Sequence, residues 1–316
     1  MNELWVWVGF TASVVILLLV DLVLIHRRPH EVSVREATIW TGIWISLALL
    51  FCLGILRFEG PETALEYLTG YLIEKSLSLD NIFVFVVIFS YFDVPDRLKH
   101  RVLFWGILGA LVMRGAMIGA GAYLINHFDW ILYVFGAFLI ITGVRLAMKE
   151  EHGVEPGRNP VIRFVRSFLP VTDSYEGGKF FVRRKGNARQ SWFGRAATPL
   201  FIVLVAIETT DVIFALDSIP AIFGVTREPF IVYSSNIFAI LGLRSLYFVL
   251  AGVMDRFNYL RFGLAAVLVF VGVKMLIEDI YEMPIFLSLA VVVALLGISL
   301  VASLRSPKPR QSAVRG

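Results

Sequence analysis

Nine apolar stretches run through this chain, at 4–25, 37–56, 64–91, 102–125, 130–148, 198–223, 230–253, 260–277 and 284–304. Each is near the twenty residues that a helix needs to cross the hydrocarbon core of a bilayer. Backbone in lipid must satisfy its own polar groups, so such stretches fold as helices rather than as open sheet. Hydrophobic residues make up 58% of the 316, more than an ordinary soluble domain carries. The sequence therefore predicts an all-α, polytopic membrane protein of about nine transmembrane helices.

Lys and Arg collect in alternate loops: Arg27, Arg28 and Arg35; Arg97, Lys99 and Arg101; the stretch from Lys149 to Arg195; Arg256 and Arg261; and the tail after Leu304. By the positive-inside rule this predicts an N-terminus outside, a C-terminus in the cytoplasm and an odd number of crossings, which nine satisfies. The first stretch lacks a positive n-region and a small-residue cleavage motif, so it is expected to be a retained helix. The net charge of +4 then reflects cytoplasmic anchoring to anionic lipid headgroups and not nucleic-acid binding. Cys52 is the one cysteine, which excludes an intramolecular disulfide and any multi-thiolate metal site. It is expected to be a small packed hydrophobe.

Two apolar stretches carry the same acidic signature. Glu74 to Ile82 reads EKSLSLDNI and Asp211 to Ile219 reads DVIFALDSI, each an acid, five residues, Leu, Asp, a small polar residue and Ile. Ionisable groups at membrane depth cost about 2.5 to 3.5 kcal/mol each even on the lenient insertion scale, so their recurrence points to a task that needs them. A further correspondence links FDWILYVFGAFLIITGVRLAMKEE at 128–151 with FNYLRFGLAAVLVFVGVKMLIEDI at 257–280. Alignment sets Glu74 opposite Asp211, Asp80 opposite Asp217, Asn81 opposite Ser218, Gly143 opposite Gly272 and Arg145 opposite Lys274. Two three-helix repeats, 64–148 and 198–280, follow. An odd number of crossings per unit inverts one copy, the plan of many secondary transporters with a site at the midplane. Around them stand two N-terminal helices in 1–63, a cytoplasmic connection over 149–197, and a last helix with a basic tail in 281–316.

At 100° per residue Glu74, Ser78 and Asn81 share one helical face, as do Glu208, Asp211 and Ser218, whereas Asp80 and Asp217 lie about 120° from Glu74 and Asp211. Straight helices would not aim all four acids at one point, so a break is expected near the two motifs, helped by Pro220. The 149–197 stretch reads mainly as a solvated linker. Its alternatives are a short amphipathic helix presenting Phe164, Phe168 and Leu169 to lipid, and a hairpin turning near Lys185-Gly186-Asn187.

Carboxylates with Asn, Ser, Thr and carbonyl oxygens favour hard cations such as Mn²⁺, Mg²⁺ or Ca²⁺, or protons. All five histidines fall in loops or at their edges, which counts against zinc, copper or nickel as cargo. No helix offers a Ser–His pair or an HExxH motif, so an enzyme is not expected and no resident cofactor is implied. Among intramembrane bases, Arg145 and Lys274 sit where they can snorkel, and Lys75, Arg114 and Arg244 are expected to pair with acids. Asp21 and Asn236 read either as further oxygens or as a solvated helix end and an interhelical amide.

The segments LTGYLIEKSLSLDNIFVF, RVLFWGILGALVMR, FDWILYVFGAFLIITGV, FFVR, DVIFALDSIPAIF and SNIFAILGLRSLYFVLAGV occur in order over most of 65–280. In these the chain resembles the TerC/Alx family of integral membrane proteins, close to its Alx branch. The resemblance implies a multi-pass transporter of the cytoplasmic membrane associated with manganese efflux and, historically, tellurite resistance. It carries the acidic motifs onto Glu74, Asp80, Asn81, Asp211, Asp217 and Ser218. The reading is a Mn²⁺ exporter in which Asp80 and Asp217 form the centre of the site and Glu74, Asp211 and Glu208 are ligands or proton carriers. Two rivals stay open: oxyanion export with Arg114 and Arg244 as binding groups, and a membrane scaffold supporting metal loading of exported proteins.

Overall fold

The computed structural model describes residues 3–20, 33–128, 130–148, 160–183, 195–251 and 259–305. Helices stand at every apolar stretch: α1 (Glu3–Val20), α2 (Val34–Phe58), α3 (Pro61–Tyr91), α4 (Asp96–His127), α5 (Ile131–Met148), α7 (Pro199–Phe223), the pair α8 (Pro229–Leu241) and α9 (Leu243–Leu250), α10 (Leu260–Ile277) and α11 (Ile285–Arg305). Between α5 and α7 lie α6 (Pro160–Phe168) and strands β1 (Phe181–Arg183) and β2 (Arg195–Ala197). Among the described residues six helices, α2, α4, α5, α7, α10 and α11, are long and apolar enough to cross a membrane, and α8 with α9 makes a seventh. The 31-residue α3 is kept from that group by Glu66, Glu74, Lys75 and Asp80 along it.

Helix boundaries follow local chemistry. Ser33 caps α2, its hydroxyl accepting from the Glu36 amide at 3.2 Å. Proline opens α3, α7 and α8, where its missing N–H costs no helical bond. Gly60 turns the chain between α2 and α3 at φ 103°, a conformation open to glycine at little cost. Trp7, Phe10, Phe51, Phe230, Tyr233 and Phe238 interlock edge to face and tilted, pinning α1 and α2 onto α8.

The two repeats are built into each other. Glu66 at the start of α3 accepts a hydrogen bond from Thr226, just past the end of α7, so α3 and α7 run antiparallel. Glycines mark close approaches along α4 and α7: a Cβ on Gly106 would stand 3.2 Å from Ile207 and one on Gly121 2.9 Å from Phe223. These helices run parallel. In the same way α3 runs parallel to α8, with Gly70 against Ser235 and Lys75 against Ala239. Exchanging the repeats turns the α4–α7 contact into the α8–α3 contact.

The crossing of α5 and α10 shows the exchange residue by residue. A Cβ on Gly136 would stand 2.9 Å from the Gly272 carbonyl oxygen, and one on Gly143 2.7 Å from that of Ala265. Aligning Gly143 with Gly272 also aligns Gly136 with Ala265, so these two contacts are images of each other. Only backbones without side chains between them approach this closely in a membrane bundle.

Two expectations are corrected. The helices α3 and α7 are continuous through both acidic motifs. Pro220 lies in the last turn of α7, where only three residues follow it, and the charged Glu74 and Lys75 of the first motif find partners on other helices, so neither motif is forced to unwind. The break falls at Gly242, where α8 and α9 meet at 41°. Nor is the described part of 149–197 a plain linker. The helix α6 buries Ile162 and leaves Phe164 and Phe168 exposed, and β1 pairs antiparallel with β2, Phe181 opposite Ala197. Tyr175 donates to the Phe92 carbonyl at 2.5 Å and Thr198 to that of Lys179 at 2.6 Å, strapping this segment to the bundle. Burial, with the Asp93 charge nearby, pushes the Tyr175 phenol above its ordinary value, so it stays a donor at neutral pH. The expected turn at 185–187 lies outside the described residues, as does Asp21.

Candidate cation site

At the centre of the bundle the Arg114 side chain of α4 is fully buried, as are Glu74 of α3 and Asn236 of α8, and Asp211 of α7 is 3% exposed. Arg114 donates from Nε to Asp211 Oδ2 at 3.1 Å and from Nη2 to Oδ1 at 2.9 Å. Its Nη1 donates to Glu74 Oε1 and to Asn236 Oδ1 at 3.0 Å. Asn236 Nδ2 closes the ring on Glu74 Oε2 at 3.1 Å. The two acids that the alignment sets opposite each other are thus held by one guanidinium, and all four of their oxygens are engaged. Burying these charges is tolerable because each is paired and hydrogen-bonded.

Beside this ring lies a narrow cavity of about 60 Å³; a water needs about 10 to 15 Å³. Asp80 and Asn81 of α3, Asp217 and Ser218 of α7, and Thr142 of α5 line it, and Glu74 and Arg114 form one wall. Thr142 lies beside Asp217, and Arg261, in the first turn of α10, is near enough to act on the charge of Asp80. Among the described residues Asn81 Oδ1 and the hydroxyls of Ser78 and Ser218 are buried without a hydrogen-bond partner. Polar atoms buried in this way are normally satisfied by protein, water or an ion. The donor set is oxygen only, which fits a hard cation.

Five of the seven predicted site residues, Glu74, Asp80, Asn81, Asp217 and Ser218, meet at this cavity. Asp211 lies across Arg114 from it. Glu208 stands apart, lining a groove of about 400 Å³ with Met113, Phe201 and Leu204, its carboxylate resting over Gly109. Among the described residues no three Asp, Glu, His or Cys side chains are placed to hold one ion together. Thr142 was not among the predicted residues; the one aliphatic hydroxyl in the apolar run ILYVFGAFLIITGV is the signal that marks it. Of the buried bases, Arg114 pairs with acids as expected. Lys75 instead donates to the Ala239 carbonyl at 3.1 Å, in the last turn of α8, where carbonyls lack helical partners. Asn236 proves to be an interhelical amide. Cys52 packs half-buried between α2 and α3 with its thiol at 3.5 Å from the Ala64 carbonyl.

A helical bundle with paired repeats and a cavity at its core that is lined in part by acids defines a polytopic integral membrane protein. The chain belongs to the integral membrane protein TerC family, whose model matches residues 59–311. It is 51% identical over 304 residues to Alx of Salmonella typhi, whose name proposes a membrane-bound redox modulator, covering 93% of this chain and 92% of that one. Alx of Escherichia coli K12 is 49% identical over 304 residues, with 93% and 92% covered. The membrane protein STKORF319 of Myxococcus xanthus is 52% identical over 298 residues, with 94% and 91% covered. No solved structure matches.

Proposed function

We propose that this chain is a secondary transporter that exports Mn²⁺ from the cytoplasm across the cytoplasmic membrane, with its N-terminus outside and its C-terminus inside. The observation that carries the reading is the buried cavity lined by Asp80, Asp217, Asn81, Ser218 and Thr142. Glu74 and Asp211 against Arg114 leave one negative charge, and ionised Asp80 and Asp217 against Arg261 leave one more, so an entering cation is attracted. Manganese, rather than magnesium or calcium, rests on the family resemblance, because ligand type alone does not separate them. Protons and metal compete for carboxylate oxygens, which makes proton antiport the natural coupling, with alternating access supplied by movement of one repeat against the other.

The rival readings divide among the residues. Four of the five N–H donors of Arg114 are committed to Glu74, Asp211 and Asn236, and its charge is held by two acids, which argues against it as the binding group for an oxyanion. The same ring favours a structural role for Glu74 and Asp211, so the scaffold reading describes these two while transport falls to Asp80 and Asp217. The redox role proposed in the Alx name is not dithiol chemistry on this chain, which has one cysteine. Sealed inside-out vesicles test the reading: Mn²⁺ uptake should rise when a proton gradient is imposed, acid inside. Uptake indifferent to that gradient removes antiport, and absence of uptake under any gradient removes export.

A further inference from the structure

We infer that Asp80 and Asp217 are two successive cation stations, one from each repeat, at different depths along the cavity that both line, to either side of the level of the Glu74–Arg114–Asp211 ring, and not two ligands of one shared ion. The inference deepens the proposed function and rests on it.

Arg114 holds Glu74 and Asp211 on the same guanidinium, which sets these two residues at one level of the bundle. Asp80 follows Glu74 by six residues and Asp217 follows Asp211 by six, each about 9 Å further along its own helix at 1.5 Å per residue. Because α3 and α7 run antiparallel, the two displacements point in opposite directions. The acids that could have bridged the gap are spent, since both oxygens of Glu74 and both of Asp211 accept hydrogen bonds within the ring. The absence of any three-acid cluster among the described residues agrees with this.

Each Asp has its own companions. Asn81 and Ser218 are each 1% exposed, follow their Asp directly, and present an oxygen without a partner. Thr142 lies beside Asp217. Arg261 is near enough to act on the charge of Asp80, offering a charge that an arriving cation exchanges with. Each station supplies one carboxylate and neutral oxygens, the coordination suited to a divalent ion that keeps several waters. The guanidinium at the level between them screens one ion from the other and keeps a single strong site, from which release would be slow, from forming.

Electron paramagnetic resonance counts bound Mn²⁺ directly, through loss of the free-ion signal when MnCl₂ is titrated into the purified full-length protein. Two stations predict two Mn²⁺ per chain for the wild type, one for Asp80→Asn, one for Asp217→Asn, and none for the double variant, each checked for monodispersity. One Mn²⁺ on the wild type, lost entirely in either single variant, would overturn the two stations while leaving Mn²⁺ export intact. No bound Mn²⁺ on the wild type removes both the stations and the reading beneath them. The wild-type count decides between one site and two without any substitution, so a misfolded variant does not blunt the test.

Discussion

Arg114 grips Asp211 in a bidentate pair, Nε and Nη2 each donating to a different carboxylate oxygen at 3.1 and 2.9 Å. The pair joins the second helix of one repeat to the first helix of the other, and a third helix enters through Glu74. Removing one member of a buried charge network leaves the rest uncompensated, at a cost of about 3 to 5 kcal/mol. Arg114→Leu is expected to lower the thermal midpoint of the purified protein and its membrane abundance far more than Asp80→Asn does. Fluorescence-detected size exclusion after heating reads both, and equal midpoints for the two variants would contradict the structural role of the ring.

Asn236 bridges Arg114 to Glu74 and belongs to the same unit. Asn236→Leu leaves Glu74 Oε2 without its donor, costing about 1 to 3 kcal/mol. Because Asn236 and Arg114 share partners, their effects are not additive. A double variant no less stable than Arg114→Leu alone is the expected outcome in a thermal cycle of the two.

The α5–α10 crossing has no room for side chains. A Cβ on Gly272 would come within 2.6 Å of the Gly136 carbonyl oxygen, a backbone atom that cannot rotate away. Gly272→Ala is expected to cost about 1 to 3 kcal/mol, the range of core overpacking. Gly119 on α4 has nothing within 4 Å, so Gly119→Ala gains helix propensity, about 0.5 to 1 kcal/mol. Opposite shifts of the two thermal midpoints are the signature to look for.

Lys75 reaches the Ala239 carbonyl at the α8–α9 break, and a Cβ on Gly242 would stand 2.9 Å from its Nζ. Lys75→Met removes the donor from an orphan carbonyl and is expected to destabilise by about 1 to 3 kcal/mol. Hydrogen exchange should then rise at 240–246 and stay unchanged in α5 and α10; uniform exchange across the bundle would assign Lys75 some other role.

Much of this was legible in the residues. Apolar length alone located every spanning helix, and the EKSLSLDNI and DVIFALDSI pair marked the two helices that bring acids to the cavity. The alignment set Gly143 opposite Gly272, and the crossing of α5 and α10, which the sequence did not indicate, gives these glycines equivalent parts. The rest depended on partners far apart in sequence. Nothing around Arg114 in GALVMRGAM indicates that it satisfies two acids on two other helices, and once it does, the motifs lose any reason to unwind. The break could have been sought at Gly242, where a glycine interrupts an apolar helix, instead of at Pro220, which comes too late in α7 to bend it. The helix α6 and the β1–β2 ribbon stood in the sequence only as alternatives to a solvated linker, because polar composition outweighs the few buried side chains, such as Ile162, that suffice to dock a short segment.

The most direct test of the account measures total metals by mass spectrometry in Mn²⁺-challenged cells lacking their own exporters, expressing wild type, Asp80→Asn or Asp217→Asn at matched membrane abundance. Wild type is expected to lower cellular manganese alone among the metals, and neither variant is. Manganese unchanged by all three, or lowered equally by all three, would contradict the claim that these two carboxylates are the path of the ion.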